Sequence, residues 1–463
     1  MKIFLLLLLF FIPLFASGQN KQLLYNFSDL PQSLMSNPGA EINFDKHFGI
    51  PFLSQVYVSV GSSGVSMYDI FKDDGGNINS RISRQISKMT RKDFFSVNQQ
   101  LEILFFGWRD DHKRYFSGGV YQELDAFGYF PKDLAVLVYE GNKDHIGESF
   151  RFSDAAFTAE VLNVFHFGFT KYYSEVLNYG VRAKLYSSVF NAHSVDNRGR
   201  FRTIPSPAAT NLYRHFLSGI DILVNTSGYA SLLDPDANVK KLLAKRALLG
   251  GNLGLGLDLG FTYYFNDRTK LTGSLLDFGF IYHNKDVESY WYHGNYQTDG
   301  IGLIFPGPNG NRDYWDNWEN DLDRHLQDET LYEPYVTWRP IKLNTSLDFG
   351  FSENREPCNC HKPQGRRRYY NHLGLQFFAI KRPKGFLGAA TFSFDRRFSD
   401  NFRAKITYTV NPYTFSNIGL LLSTKIHNFN FYLAADNLLS YTNLAKAHYA
   451  SLQFGFQFII DRE

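Results

Sequence analysis

The sequence predicts an all-β protein, a transmembrane antiparallel β-barrel of about 14 strands within a range of roughly 12–16. Three observations predict it. The chain opens with an export leader, and the run of about 18 apolar residues that marks a spanning helix is missing thereafter. Its hydrophobic period is two. Its last segment is an aromatic strand of the same period.

The leader comes first. Lys2 is a positive n-region, Ile3 to Phe15 an apolar h-region, and Ala16-Ser17-Gly18 a small-residue cleavage site. Residues 1–18 are therefore expected to be removed. The apolar run is shorter than the ~20 residues of a membrane anchor, and no Cys follows the site to accept a lipid. Composition narrows the rest. Among 463 residues, 48 basic and 45 acidic side chains leave a net charge of +3. That balance excludes the clustered basic excess of a nucleic-acid-binding domain. Aromatics at 17% exclude disorder for most of the chain, and two Cys exclude a disulfide-dense scaffold.

Alternation then marks the strands. Leu253, Leu255, Leu257, Leu259, Phe261 and Tyr263 oppose Gly254, Gly256, Asp258, Gly260 and Thr262. Leu343, Leu347, Phe349 and Phe351 oppose Asn344, Ser346, Asp348 and Gly350. Phe402, Ala404, Ile406 and Tyr408 oppose Arg403, Lys405 and Thr407. The pattern recurs near 155–169, 176–191, 370–380, 386–397, 415–425 and 428–436. It ends on Phe454, Phe456 and Phe458, which resemble the C-terminal signal read by outer-membrane assembly machinery. A soluble sandwich also alternates. Strands near the ~9–11 residues of a tilted crossing, with aromatics at their ends, favour the membrane.

Short polar joints at 109–113, 266–270 and 399–401 read as periplasmic turns, and 63–96, 125–154, 229–250, 283–340 and 437–449 as external loops. Two loop helices are expected, over Asn77–Met89, capped by Asn77 or Asn79, and over Asp236–Leu249. A strand tally reaches about sixteen, with 54–62 and 199–206 weakest, so about fourteen is equally acceptable. The barrel is assigned to 54–463.

Residues 19–53 do not alternate. They carry Asn37-Pro38-Gly39 shortly before the first strand. This motif resembles the hatch of long-chain fatty-acid-transporter-like barrels, and related openings occur in barrels associated with type IX secretion and gliding. Ala435-Asp436-Asn437-Leu438-Leu439 is similar to a late-strand motif of the same barrels. Over nearly the whole chain the layout resembles an uncharacterised Bacteroidota family of outer-membrane barrels. The resemblance implies an N-terminal hatch lodged in the lumen. It brings no ligand-binding residues, and Gly39 stands where those transporters carry Ala.

By alternation Glu160, His166, Arg182, Lys184, Asp258, Asp348, Asp395, Arg403 and Lys405 face the lumen. They either line a polar conduit or pair with each other and the hatch. Cys358 and Cys360 with His361 form a local disulfide or a weak metal site; three ligands fall short of a structural zinc site, so no metal is assigned. Arg366-Arg367-Arg368 is a candidate for lipid phosphates or a solvated strand start. The aromatic 283–340 loop is either a binding surface or a lid packed on itself. Nucleophile elbow, zinc-protease and phosphate-loop motifs are absent, so no enzyme activity and no cofactor is expected. Two functions compete: a transporter-like barrel for a hydrophobic small molecule, and a non-conducting subunit of an envelope assembly such as a secretion or gliding machine. The expected location is the outer membrane. The expected partners are its lipid, the assembly machinery and other envelope proteins.

Overall fold

The computed structural model describes residues 22–110, 112, 114–206, 212–298, 324–354 and 368–461. The leader and Cys358, Cys360 and His361 lie outside them, as do Tyr314 to Trp318. Arg366, Arg367 and the Arg368 side chain also lie outside.

The wall opens with β1 (Lys46–Gly49) and β2 (Val56–Ser62), two halves of one strand. Both pair with the same two neighbours. The wall thus begins before residue 54, the expected boundary. The halves are split at Ile50–Gln55, where Pro51 has no N–H for the ladder and Phe52 takes a positive φ. Next come β3 (Phe94–Arg109) and β4 (Arg114–Tyr129), then β5 (Ser149–Arg151) within a long loop. The chain returns in β6 (Ala156–Tyr172) and β7 (Leu177–Ser194), then leaves in β8 (Arg198–Pro205) and most of β9 (Tyr213–Ser227). It rejoins with β10 (Asn252–Tyr264) and β11 (Thr269–His283). The next loop carries β12 (Ser289–Thr298) and β13 (Leu326–Leu331). β14 (Tyr335–Trp338) and β15 (Lys342–Asn354) form another split strand, both halves pairing with β11. The wall finishes with β16 (Arg368–Arg382), β17 (Gly385–Ser399), β18 (Phe402–Val410), β19 (Asn417–Ile426), β20 (Phe429–Asp436) and β21 (Tyr449–Ile460).

β21 closes the ring by pairing with β20 on one side and with β1 and β2 on the other. The result is a closed antiparallel barrel of 14 strands. Closure pairs every wall edge, which a bilayer demands because it offers backbone groups no water. Outward residues are apolar and exposed: Leu253, Leu255, Leu347, Phe349, Phe377, Phe392, Ile406 and Phe458 among them. Trp108, Phe116, Phe167 and Phe169 stack outside near the short-turn end, as an interfacial aromatic belt does. This is a membrane-spanning barrel.

The long connections gather at the other end. Residues 199–206, one of the two weak wall candidates, belong to β8. β5, β8, β9, β12 and β13 form a separate antiparallel sheet there. The helix Ile78–Lys88 is capped by the Asn77 side chain. The second loop helix is shorter than its expected span, Val239–Lys245, because Leu248 and Leu249 leave helical geometry.

Candidate functional site

Residues 22–45 fill the lumen beside the short-turn end of the wall. Asn37-Pro38-Gly39 is its tightest contact. Gly180 of β7 and Gly260 of β10 are register partners, and their missing side chains make a flat patch. A Cβ on Gly180 would stand 1.9 Å from the Pro38 carbonyl oxygen, and one on Gly260 2.1 Å from Asn37 Oδ1. Polar contacts frame the patch. Asn37 Nδ2 donates to the Phe261 carbonyl (3.2 Å) while its Oδ1 accepts from the Gly39 N–H (2.9 Å). Thr170 and Thr262 donate to the Pro38 and Gly39 carbonyls at 2.6 and 2.9 Å. Ser274 donates to the Ser36 carbonyl at 2.7 Å.

The nine luminal residues read from the sequence are all buried, and the structure sorts them into groups. Arg182 and Lys184 both meet Asp258, and Lys184 also meets Asp277 at 2.5 Å. Lys342 bridges Asp277 (2.7 Å) and Glu123 (3.6 Å). Arg339 joins Glu123 to Glu160. Arg182, Lys184, Arg339 and Lys342 thus meet Glu123, Glu160, Asp258 and Asp277, four of each sign. Arg182 ties this network to the hatch by donating to the Leu34 and Met35 carbonyls at 2.8 and 3.0 Å.

A second group grips the front of the hatch. Arg403 pairs with Asp395, and Arg397 reaches both oxygens of Asp29 at 2.7 and 2.6 Å. Lys405 donates to the Tyr25 carbonyl at 2.7 Å, and Asp348 accepts from Asn26 at 2.5 Å. Burial pushes the Asp29 carboxyl up, but Arg397 and Arg403 outweigh it and hold the group well below the usual carboxylate range. His166 joins neither network. Its ring lies between Phe105 and Tyr121, with no hydrogen-bond partner among the described residues.

Asp277, Asp125, Arg339, Lys342 and Arg382 were not legible as luminal. Asp277 sits at a β-bulge opposite Asp258, with φ +58°. There the inward phase slips from Ser274 and Leu276 to Asp277 and Gly279, which strict alternation misses. Asp125 and Arg339 fell inside expected loops, although β4 runs on to Tyr129 and the wall resumes at Tyr335.

Apolar contacts complete the docking. Leu23, Leu24, Phe27 and Leu30 pack on Leu421, Tyr432 and Ala434 of the wall. Leu34, Ala40, Ile42 and Phe44 pack with Tyr115 and Ile459. Towards the long-loop end a cavity of about 30 Å³ is bounded by Asp125, Phe127, Lys342, Arg382, Tyr413 and Tyr449. That volume suits a few waters. Arg382 makes a two-pronged pair with Asp125 at 2.6 and 3.0 Å.

A family model matches residues 38–436, from the hatch motif to the end of β20. The chain belongs to the family of unknown function DUF5723. A search of curated proteins gives no match. Among solved structures, this DUF5723 member is similar in layout to the toluene transporter TodX of Pseudomonas putida, at 10% identity over 96% of this chain and 94% of that one, TM-score 0.36. It is likewise similar to the toluene transporter TbuX of Ralstonia pickettii, at 10% identity over 93% and 94%, TM-score 0.41. A FadL homologue of Pseudomonas aeruginosa matches at 10% identity over 96% of both chains, TM-score 0.39. No ligand is transferred from them.

Proposed function

We propose that this protein is an outer-membrane, transporter-like barrel that holds or passes a hydrophobic small molecule once its hatch moves. The long-loop end then faces outward and the chain ends face the periplasm. One observation carries the reading. The hatch covers an apolar luminal lining in a barrel whose interior also carries buried ion pairs. Leu421, Tyr432 and Ala434 point into the lumen and are sealed by Leu23, Leu24, Phe27 and Leu30. Burying four such side chains contributes roughly 6–12 kcal/mol as an upper bound. An apolar ligand that takes their place offsets the loss, whereas water does not. Most of the luminal charges named above are paired, which suits a filled interior better than an ion conduit.

The reading is tested by binding of an apolar fluorescent probe to purified protein in detergent. Removal of residues 22–45 is expected to raise probe occupancy about tenfold, one factor of ten being ~1.4 kcal/mol. Leu24→Asp with Phe27→Asp gives the same shift with the chain left intact. Occupancy unchanged in both variants overturns the reading and leaves a fixed subunit of an envelope assembly, the type to which secretion- and gliding-associated barrels belong.

A further inference from the structure

The exposed charges of the loop sheet differ from those of the lumen. β5 and β8 alternate cleanly. Phe150 and Phe201 turn to one face, where they pack with Ile86, Met89, Ala135 and Val136 from the helices of the two preceding loops. Arg151, Arg200 and Arg202 turn to the other face and are exposed. In register, Arg151 stands directly opposite Arg200, and Arg202 opposite Ser149. Like charges directly opposite each other destabilise a strand pair. Arg198 adds a fourth exposed cation at the rim end of β8.

Each carboxylate nearby makes another contact, and Asp221 stands opposite Arg198 across β8 and β9. Asp133 accepts from the Arg151 backbone N–H (3.1 Å), Glu148 pairs with His145 (3.0 Å), and Asp221 accepts from Trp291 (2.9 Å). Among the described residues no ion pair closes on Arg151, Arg198, Arg200 or Arg202. Every luminal arginine named above, by contrast, has its carboxylate.

We infer that this face docks the phosphates of glycolipid headgroups in the leaflet surrounding the barrel. Position and chemistry both point there. Arg151 precedes the wall residue Ala156 by five positions and Arg198 follows the wall residue Ser194 by four. At ~3.3 Å per extended residue they stand within about 17 Å of the outer ends of those wall strands. The backbone positions that carry these arginines, on neighbouring strands and at alternate residues, form a grid of about 5 by 7 Å, from which two guanidinium groups can reach one phosphate. Arginine's planar fork suits phosphate oxygens better than a point charge does. The inference rests on the long-loop end facing outward, not on passage of any ligand through the lumen.

The test is native mass spectrometry of the full chain in mild detergent with added bisphosphorylated lipid A. The wild type is expected to retain a lipid A adduct. Arg151→Gln, Arg200→Gln and Arg202→Gln combined should weaken retention on the order of a hundredfold. The same three changed to Lys should restore part of it, and dephosphorylated lipid A should give no adduct. Unchanged heat-dependent migration of the Gln variant on SDS gels shows that its barrel is folded. Equal adducts in wild type and Gln variant, or equal retention of the dephosphorylated lipid, overturn the inference. So does tighter retention of polyglutamate than of lipid A, which would make the face a protein-docking surface.

Discussion

Two glycines decide how the hatch seats. Gly180 and Gly260 face each other across β7 and β10, and the Asn37-Pro38-Gly39 backbone lies against both. Gly260→Ala is expected to lift the motif at a cost of about 1–3 kcal/mol, the usual range for overpacking. Amide hydrogen exchange over residues 22–45 should accelerate while the strands keep their protection. Unchanged exchange would mean that the patch does not hold the hatch. Asp29 gives a second prediction. Its depressed carboxyl contributes stability that is complete above its unfolded pKa of about 3.9 and is lost only as pH falls through the lower folded value. Hatch protection should therefore stay level from about pH 7 to about pH 4. Asp29→Asn should weaken it already at neutral pH by about 1.5–3 kcal/mol, the range for a lost charge-assisted bond. Protection that fades between about pH 6 and pH 4 in the wild type would contradict the assignment. At this scale the sequence was informative wherever a strand kept its period. Arg182, Asp258, Arg403 and Lys405 could be placed because their neighbours alternate. Asp277 could not, because one inserted residue reverses the phase of everything beyond it.

The elements divide by how much long-range information they need. The period of two marks β10, β18 and β21 in isolation, and Asn77 or Asn79 marks a helix start, of which Asn77 is the cap. The split strands are harder. Ile50–Gln55 breaks the period inside the first wall strand, so β1 read as part of the hatch. Tyr335–Trp338 is too short to stand out from the aromatic loop before it. β8 alternates as a wall strand does, yet pairs only within the loop sheet, and pairing is not written in local pattern. The luminal network is likewise an assembly of elements: β4, β6, β7, β10 and β11, with Arg339 and Lys342 from the β14–β15 strand. Asp258→Asn would leave Arg182 and Lys184 short of a shared counter-charge, and breaking a buried pair costs about 3–5 kcal/mol. The temperature at which the folded SDS-gel band is lost should drop clearly. A variant as heat-resistant as the wild type would show that the network is not integral to the wall.

At the scale of the whole molecule, a ring of 14 strands encloses more space than its own inward side chains fill, and the N-terminal segment fills the remainder. That segment is bound in two ways. Ion pairs and glycine contacts fix its position, and apolar clusters pack it on the wall. Nothing in the alternation pattern reveals this; it entered through the resemblance carried by Asn37-Pro38-Gly39. In the proposed transport the hatch must leave its seat for a hydrophobic molecule to pass. The Ser274 hydroxyl donates to the Ser36 backbone carbonyl across the hatch–wall boundary, so Ser36→Cys and Ser274→Cys joined by a short reducible bis-thiosulfonate cross-linker can lock it. The decisive measurement is uptake of an apolar fluorescent probe by cells carrying the locked barrel, before and after reduction. The account predicts uptake at the level of barrel-free cells when the bridge is closed and recovery to the wild-type rate when it is reduced. Wild-type uptake with the bridge closed would contradict it.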